Sequence, residues 1–403
     1  MEFNIIKSDQ KDLETGNIIL SYKKKNPNFK NWKTLINNYA FICSSSYSSI
    51  NIDYKSTYEI YKLNSSKNDF YIAFQSSDAE GLLKIHKYNY LNQKPEEILS
   101  LENEKNSLEK IKYFHEPVFG QEFLFICLRK TLKIMLIKNE KEYEIIDKIE
   151  KIGKTGGFSL NKSLLPINNF EIFHNKFNKK SYLIVSFFYQ SGCTSKKNDI
   201  NFFEFSKDKL ILINTFSFFT LLETKLNLLY EDNINKKLYI LIYINSALKY
   251  FEINDDLYKC NNIEQLPNFY ESGEGLKKLN EVFPRIFYEF GLIIYNNKNA
   301  DDYLYLCDKK SNLTLINLTK KEKIKELNLN INFKINSVIS YKNKFIIFGT
   351  SKAFLILEVD TCKIISQYMF KDDLISVKGY NFDENISNYL LVDFIDKTIK
   401  LFF

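Results

Sequence analysis

Glycine and proline are scarce in this sequence of 403 residues, with 12 and 6 copies. Their scarcity excludes a collagen-like repeat and disfavours long flexible linkers. Uncharged apolar runs of the roughly 18 residues that span a bilayer are also missing, so we expect no membrane insertion. The segment after Met1 leads into charged residues, and we therefore predict no secretory signal.

Arginine and paired cysteines are missing as well. Arg129 and Arg285 are the only arginines, so lysine supplies nearly all the positive charge behind the net +7. Nucleic-acid recognition usually relies on the bidentate arginine fork, and a solvated lysine-rich surface is therefore the favoured interpretation. Six single cysteines without a Cys-x-x-Cys pair favour a reducing compartment. We predict the cytoplasm, with the nucleus as the alternative because Lys23–Lys25 form a basic triplet.

Motifs for catalysis, metals and cofactors are not found. The segment Gly153–Thr155 reads Gly-Lys-Thr, but Lys148 stands where a phosphate-binding loop needs its first glycine. No His or Cys stands at ligand spacing from any histidine, namely His86, His115 and His174. Nucleophile elbows and kinase signatures are absent too. We therefore predict no cofactor, no metal site and no enzymatic activity.

Aromatic residues are abundant instead, with 35 Phe and 27 Tyr, and such side chains favour strands. A short pattern recurs seven times and is clearest near the C-terminus, in Asp396–Phe402, where it reads Asp-Lys-Thr-Ile-Lys-Leu-Phe. Most matches lie about 40 to 50 residues apart, and two intervals are roughly 20 residues longer. The matches end at His86, Met135, Phe203, Phe251, Ile316, Leu357 and Phe402.

An apolar run of strand length precedes every match, and further strand candidates flank most of them. Four short strands for each repeat are the unit of a propeller blade. The apolar runs are Phe70–Phe74, Phe123–Leu128, Tyr182–Phe188, Leu238–Ile244, Tyr303–Leu306, Phe345–Phe348 and Tyr389–Val392.

The repeated segment resembles the WD40 pattern, in which a turn Asp precedes Thr-Ile-Lys-Val-Trp on the third strand of a blade. The resemblance covers roughly residues 55–403, although no Gly-His or Trp-Asp pair occurs and the single Trp32 lies ahead of the first repeat. Asp78, Asp308 and Asp396 are the residues placed to serve as the turn Asp. His86 stands at a tryptophan position, so we interpret it as a packed structural side chain. The resemblance implies an all-β, seven-bladed, WD40-like β-propeller.

The ends of the sequence predict how such a propeller closes. The last repeat stops after its third strand, which leaves an edge that needs a fourth strand from elsewhere. Tyr39–Cys43 and Ser49–Tyr54 are the candidates, so we place the closing N-terminal strand within 39–54. We accordingly predict an N-terminal extension over 1–38 and the propeller over 39–403.

The resemblance implies a non-catalytic scaffold that binds one or more proteins through rigid loops. Long loops are predicted at Lys151–Pro166, at 189–199 and at Asn261–Glu281. The alternative function is an RNA- or ribosome-associated propeller that binds through a lysine-rich surface. A propeller enzyme would instead need acidic or His side chains that converge on the central channel. The candidate partner-binding loop residues are Asp78, Glu80, Tyr189, Gln190, Lys196, Lys197, Tyr270 and Glu271.

Overall fold

The computed structural model describes the chain in twenty stretches, and every regular element within them is a β-strand. Among these residues, no helical segment has the length and hydropathy needed to span a bilayer. The described residues are 47–51, 54–66, 69–76, 82–89, 96–101, 108–154, 162–191, 195–206, 209–220, 227–244, 247–253, 264–265, 290–295, 301–308, 311–331, 333–341, 343–369, 374–380, 389–394 and 398–402.

The described strands form seven four-stranded antiparallel sheets and one two-stranded hairpin. Strand β1 spans Tyr47–Asn51. Sheet 1 consists of β2 (Tyr54–Tyr61), β3 (Asp69–Ser76), β4 (Leu83–Asn89) and β5 (Glu96–Leu101). Sheet 2 consists of β6 (Leu108–Glu116), β7 (Gln121–Leu128), β8 (Thr131–Asn139) and β9 (Glu142–Ile149). The hairpin pairs β10 (Ile152–Lys154) with β11 (Lys162–Leu164).

Sheet 3 consists of β12 (Ile167–Asn175), β13 (Lys180–Ser191), β14 (Ser195–Ser206) and β15 (Lys209–Thr220). Sheet 4 consists of β16 (Asn227–Asp232), β17 (Lys237–Ile244), β18 (Ala247–Ile253) and β19 (Glu264–Gln265). Sheet 5 consists of β20 (Phe290–Ile294), β21 (Tyr303–Cys307), β22 (Asn312–Asn317) and β23 (Glu322–Asn328). Sheet 6 consists of β24 (Ile335–Tyr341), β25 (Phe345–Thr350), β26 (Ala353–Glu358) and β27 (Lys363–Met369). Sheet 7 joins β1 to β28 (Leu374–Tyr380), β29 (Tyr389–Phe394) and β30 (Thr398–Phe402).

Contacts divide the chain into two units, one of residues 53–271 and one of residues 1–52 with 272–403. The first unit contains sheets 1 to 4, and the second contains sheets 5 to 7. In sheets 1 to 6 the strands lie side by side in chain order, which is the meander of a propeller blade. The predicted division into 1–38 and 39–403 stays a prediction, because residues 1–46 lie outside the described residues.

Strand β7 shows why the apolar runs form central strands. All residues from Phe123 to Leu128 are buried, because both faces of the strand are covered. Phe125 packs with residues of sheet 3, whereas Leu124 and Ile126 pack with residues of sheet 1. Successive side chains of a strand point to opposite faces, so one apolar run joins its sheet to both neighbours.

The last sheet receives its fourth strand from the N-terminal part of the chain. Strand β1 pairs antiparallel with β30, in a register that places Ile50 opposite Ile399. This strand lies within the predicted window 39–54 and overlaps the candidate Ser49–Tyr54. The other candidate, Tyr39–Cys43, lies outside the described residues.

Two predicted features of the repeat are visible in the described residues. Asp308 lies at the turn between β21 and β22, where its carboxylate accepts the backbone N–H of Asn312 at 2.8 Å. Asp308 thus lies at a turn between the second and third strands, as predicted, while Asp78 and Asp396 lie outside the described residues. His86 packs edge-on against Phe74 with ring centroids 4.8 Å apart, and burial lowers its pKa. It is therefore a packed side chain, as predicted.

The loop predictions need correction at three places. The segment 189–199 is mostly strand, because the ladder of β13 and β14 continues to Ser191 opposite Ser195. The segment Lys151–Pro166 contains the hairpin of β10 and β11, and Asn261–Glu281 contains the short strand β19. The first strand of sheet 5, Phe290–Ile294, was not predicted, because it contains a glycine and has no alternating pattern.

Candidate functional site

Sheet 3 is longer than the other described sheets at one end. Strands β13, β14 and β15 have 12 residues each, whereas β12 has 9. The first pair of β12 with β13 is Ile167 with Phe187, so the rest of β13 runs beyond β12. We call residues 188–191, 195–199 and 217–220, which lie at the level of this pair or beyond it, the sheet 3 extension.

The sheet 3 extension contains four of the predicted partner-binding residues. Tyr189 lies opposite Lys197, and Gln190 lies opposite Lys196, so the structure brings all four together. They lie on strands β13 and β14 and not in a loop, because backbone pairing continues past them. The other predicted residues, Asp78, Glu80, Tyr270 and Glu271, lie outside the described residues.

One face of this sheet changes from apolar to polar along its length. Val185 and Phe187 of this face belong to the buried core shared with sheet 2. Tyr189 follows two residues later on the same face, since side chains alternate between faces. On the paired strands the same face carries Lys197, Asp199, Asn201, Thr215 and Ser217.

Asp199 is the centre of the polar part of this face. Its side chain is only 3% exposed, yet it accepts hydrogen bonds from the Tyr189 hydroxyl at 2.8 Å and the Ser217 hydroxyl at 2.5 Å. The ammonium groups of Lys151 and Lys197 lie 2.9 and 3.3 Å from its oxygens. A buried carboxylate needs such compensation, because water no longer solvates its charge.

The lowered pKa of Asp199 indicates that its carboxylate is ionised. Burial on its own would raise the pKa of Asp199, but hydrogen bonds from Ser217, Lys151 and Tyr189 outweigh burial and hold the pKa below its ordinary value. Burial and the neighbouring carboxylate both raise the pKa of Tyr189. The phenol therefore keeps its proton and serves as a hydrogen-bond donor.

Lys151 connects the sheet 3 extension to the segment that leads from sheet 2 to sheet 3. Its backbone carbonyl accepts the N–H of Leu165 at 2.7 Å, at the base of the β10–β11 hairpin. Its ammonium group binds Asp199 and lies 5.6 Å from the centre of the Phe187 ring. Asp199 thereby fixes this connecting segment against sheet 3.

The arrangement is suited to positioning and not to proton transfer, because hydrogen bonds and lysines already satisfy the Asp199 carboxylate. Among the described residues, no group of three or more His, Cys, Asp or Glu side chains is placed to hold a metal ion. A second ionic cluster lies on the first strands of sheets 2 and 3, where Glu171 accepts hydrogen bonds from Lys110 at 2.9 Å and Lys112 at 2.5 Å. The clusters around Asp199 and Glu171 stabilise the sheets that carry the surface residues.

The residues predicted from the sequence include Tyr189 and Lys197 but not Asp199, Lys151 and Ser217, which complete the polar cluster. A signal was present in the alternation of Lys197, Asp199 and Asn201, which places three polar side chains on one strand face. The contribution of Lys151 had no local signal, since it comes from a different segment of the chain.

Comparisons with known proteins find similarity at the level of structure alone. No family model and no curated protein matches the sequence. The fold is similar to that of Saccharomyces cerevisiae Sqt1, with a TM-score of 0.55, 8% identity and coverage of 88% of this chain and 99% of that chain. It is also similar to BBS1N solved in complex with ARL6DN, with a TM-score of 0.56 and 9% identity. That match covers 88% of this chain and 94% of the BBS1N chain.

A third similar structure is Chaetomium thermophilum Raptor, with a TM-score of 0.52 and 9% identity. The match covers 88% of this chain but 28% of the Raptor chain. At such identities the likeness concerns the fold. Together with the described sheets, it shows that this chain has an all-β propeller fold.

Proposed function

We propose that the chain is a seven-bladed, WD40-type propeller, closed by β1, that serves as a non-catalytic scaffold for protein partners. Support for the blade number comes from the seven four-stranded sheets of the described residues. Support for closure comes from the pairing of β1 with β30, which joins distant parts of the chain in one sheet. Support for a WD40 blade comes from Asp308 and its turn.

The sheet 3 extension is the observation that carries the functional part of the proposal. Asp199 and its partners hold this extension in place, so a partner would meet a preformed surface and binding would cost little ordering entropy. Tyr189 and Lys197 are partly exposed there and offer one aromatic and one cationic contact.

Partner capture by full-length chains tests this proposal. In one variant, Gln190–Lys196 is replaced by Asn-Gly together with Tyr189→Thr and Lys197→Gln, so that both named contacts are removed. Tyr189 lies opposite Lys197, so a two-residue turn joins them without a change of register. In the control, Arg129–Lys130 is replaced by Asn-Gly, since this two-residue turn joins the paired residues Leu128 and Thr131 of sheet 2.

We expect a protein partner to co-purify, by mass spectrometry, with the wild-type chain and the control but not with the shortened variant. Equal partner recovery from all three chains would remove the sheet 3 extension from the proposal. A wild-type chain that purifies alone would contradict the scaffold function. Recovery that nuclease treatment abolishes would favour the RNA-associated alternative.

We also propose a cytoplasmic location. Support comes from Cys127, Cys307 and Cys362, which are free thiols in the structure, as a reducing compartment requires. Fluorescence microscopy of the tagged full chain tests the location, and a signal confined to the nucleus or the secretory pathway would contradict it.

A further inference from the structure

Three turns share one geometry. They lie at one end of sheets 2, 3 and 4, and in sheet 3 this is the end opposite to the sheet 3 extension. Each joins the first strand of its sheet to the second, over residues 117–120, 176–179 and 233–236. Each ends on a residue with positive φ, namely Gly120 at 66°, Lys179 at 57° and Lys236 at 56°. We call these three segments the rim turns.

A side chain at the end of the first strand holds each rim turn. Asn175 accepts the backbone N–H of Phe177 at 3.0 Å, and Asp232 accepts that of Ile234 at 3.0 Å. Glu116 plays the same part in the remaining turn, where it accepts the N–H of Phe119 at 2.6 Å. These hydrogen bonds constrain the backbone of each rim turn and thereby the placement of its tip.

The tips of the rim turns are apolar. Val118 is 49% exposed, Phe119 is 45% exposed and Ile234 is 58% exposed. Phe177 is half-buried beneath the ammonium group of Lys176, which lies 5.3 Å from the ring centre. A single exposed apolar residue is ordinary, but an apolar tip on three successive turns is not.

Other turns of the chain show that the geometry does not require apolar tips. The turns 318–321 and 359–362 also end on residues with positive φ, Lys321 and Cys362. Their tips are the exposed polar residues Thr319 and Asp360, while the apolar residues Leu318 and Val359 are buried. The apolar tips of the rim turns therefore need a separate explanation.

Side-chain contacts place neighbouring rim turns next to each other. Glu116, which holds the first turn, also accepts a hydrogen bond at 2.8 Å from Ser181, two residues beyond the second turn. Lys176 in the second turn binds Glu231, which directly precedes the cap of the third. The three tips consequently line one surface.

Positive charge accompanies the apolar tips. Lys179 and Lys236 are exposed and follow the tips of the second and third rim turns. Within the described part of the chain no carboxylate pairs with either side chain. A partner with acidic groups beside its apolar groups would complement both features of this surface.

We propose that the rim turns bind a protein segment that combines acidic and large apolar side chains. This surface and the sheet 3 extension lie at opposite ends of β13. The inference rests on the proposed scaffold function, because its partner is a protein. A protein segment fits better than an anionic membrane. Glu231 and Asp232 directly precede the third rim turn, so they would repel a lipid surface that is negatively charged throughout, whereas a peptide places its acidic groups only beside Lys179 and Lys236.

The test uses a phage-displayed library of random peptides, selected on the full chain. The tip variant combines Phe119→Ser, Phe177→Ser and Ile234→Thr. The matched control combines Ile145→Thr and Leu212→Thr, two residues on outer strands that are exposed to a similar degree, 52% and 53%. A charge variant combines Lys179→Asn and Lys236→Asn, since Asn tolerates positive φ.

We expect the selected peptides to be rich in Asp, Glu and large apolar residues. Synthetic peptides from the selection should bind the tip variant roughly tenfold or more weakly and the control unchanged. They should bind the charge variant more weakly at low salt, with less difference at high salt. Equal binding to the wild-type chain and the tip variant would overturn the inference.

Further outcomes separate this inference from the scaffold proposal. Peptides that bind, but with no sensitivity to the tip variant, would leave the scaffold function intact and refute the rim turns as its site. Co-sedimentation with vesicles of phosphatidylcholine and phosphatidylserine, lost in the tip variant, would also refute it in favour of a membrane. Concentration-dependent dimers in sedimentation, lost in the tip variant, would refute it in favour of a second copy of the chain.

Discussion

Replacing Asp199 with Asn tests the internal support of the sheet 3 extension. Removal of one partner from a buried charge pair costs about 3–5 kcal/mol. The cost here is smaller, because the amide oxygen still accepts a hydrogen bond and because Lys151 and Lys197 remain 23% and 26% exposed to water. We therefore expect Asp199→Asn to lower the free energy that protects the extension by about 2 kcal/mol.

Hydrogen exchange by mass spectrometry measures this loss locally. Amides of β13, β14 and β15 near Asp199, together with the segment around Lys151, should exchange roughly thirtyfold faster at neutral pH. Because the folded pKa of Asp199 lies below its ordinary value, its stabilisation is present above that value and is lost as the pH falls through the folded pKa. The difference between variant and wild type should accordingly shrink in acid.

The control for this prediction lies on the same strand. Glu204 of β14 pairs with Lys180 at the surface, where the two side chains are 28% and 45% exposed. Surface ion pairs contribute about 0–1 kcal/mol, so Glu204→Gln should leave exchange almost unchanged. Equal effects of Asp199→Asn and Glu204→Gln would refute the argument that the buried carboxylate holds the extension.

Two further predictions concern ionic and polar contacts elsewhere. Burial acts to raise the pKa of Glu171, but Lys112 and Lys110 outweigh it and lower the pKa from 4.5 to about 2. Glu171→Gln should therefore lower the free energy of unfolding in urea by about 2 kcal/mol at neutral pH. The difference should become progressively smaller as the pH falls from about 4.5 to about 2, and a difference that is constant with pH would contradict the pairing. Asp308→Ala should lower the free energy of unfolding by about 2 kcal/mol, since it leaves the N–H of Asn312 without this acceptor. Asp308→Asn should lower it less, and equal melting temperatures for the two variants would contradict this role of Asp308.

The strand pattern was largely predictable because the central strands of each sheet are buried on both faces. The run Phe345–Phe348 and the match that ends at Leu357 became β25 and β26, since continuous apolar residues have few alternatives to such a position. The outer strands carry fewer constraints. The two-residue strand β19 has no pattern of its own and depends on β18 for its hydrogen bonds.

The candidate site was less predictable, because its chemistry depends on residues that are distant in sequence. The segment that contains Lys196, Lys197 and Asp199 is polar, and polarity alone predicts a loop. It forms strand because its backbone pairs with β13 and β15, and its buried Asp199 is compensated by Lys151 and Ser217, which are distant in sequence. The apolar tips of the rim turns could not be predicted either. The exposure of Ile234, for example, depends on which residues from other parts of the chain cover its turn.

The pairing of β1 with β30 is tested most directly by a disulfide between them. Ser49 lies opposite Lys400, and opposite residues of antiparallel strands have Cα atoms about 4.5–5.5 Å apart, within the range that a disulfide bridges. We expect Ser49→Cys with Lys400→Cys to form this bond under mild oxidation, with a shift in denaturing-gel mobility that a reductant reverses. Ser49→Cys with Lys378→Cys is the control, because β28 lies at the far edge of the same sheet. Two thiols that stay free in the first variant, or equal cross-linking in both, would contradict closure of the last sheet by the N-terminal strand.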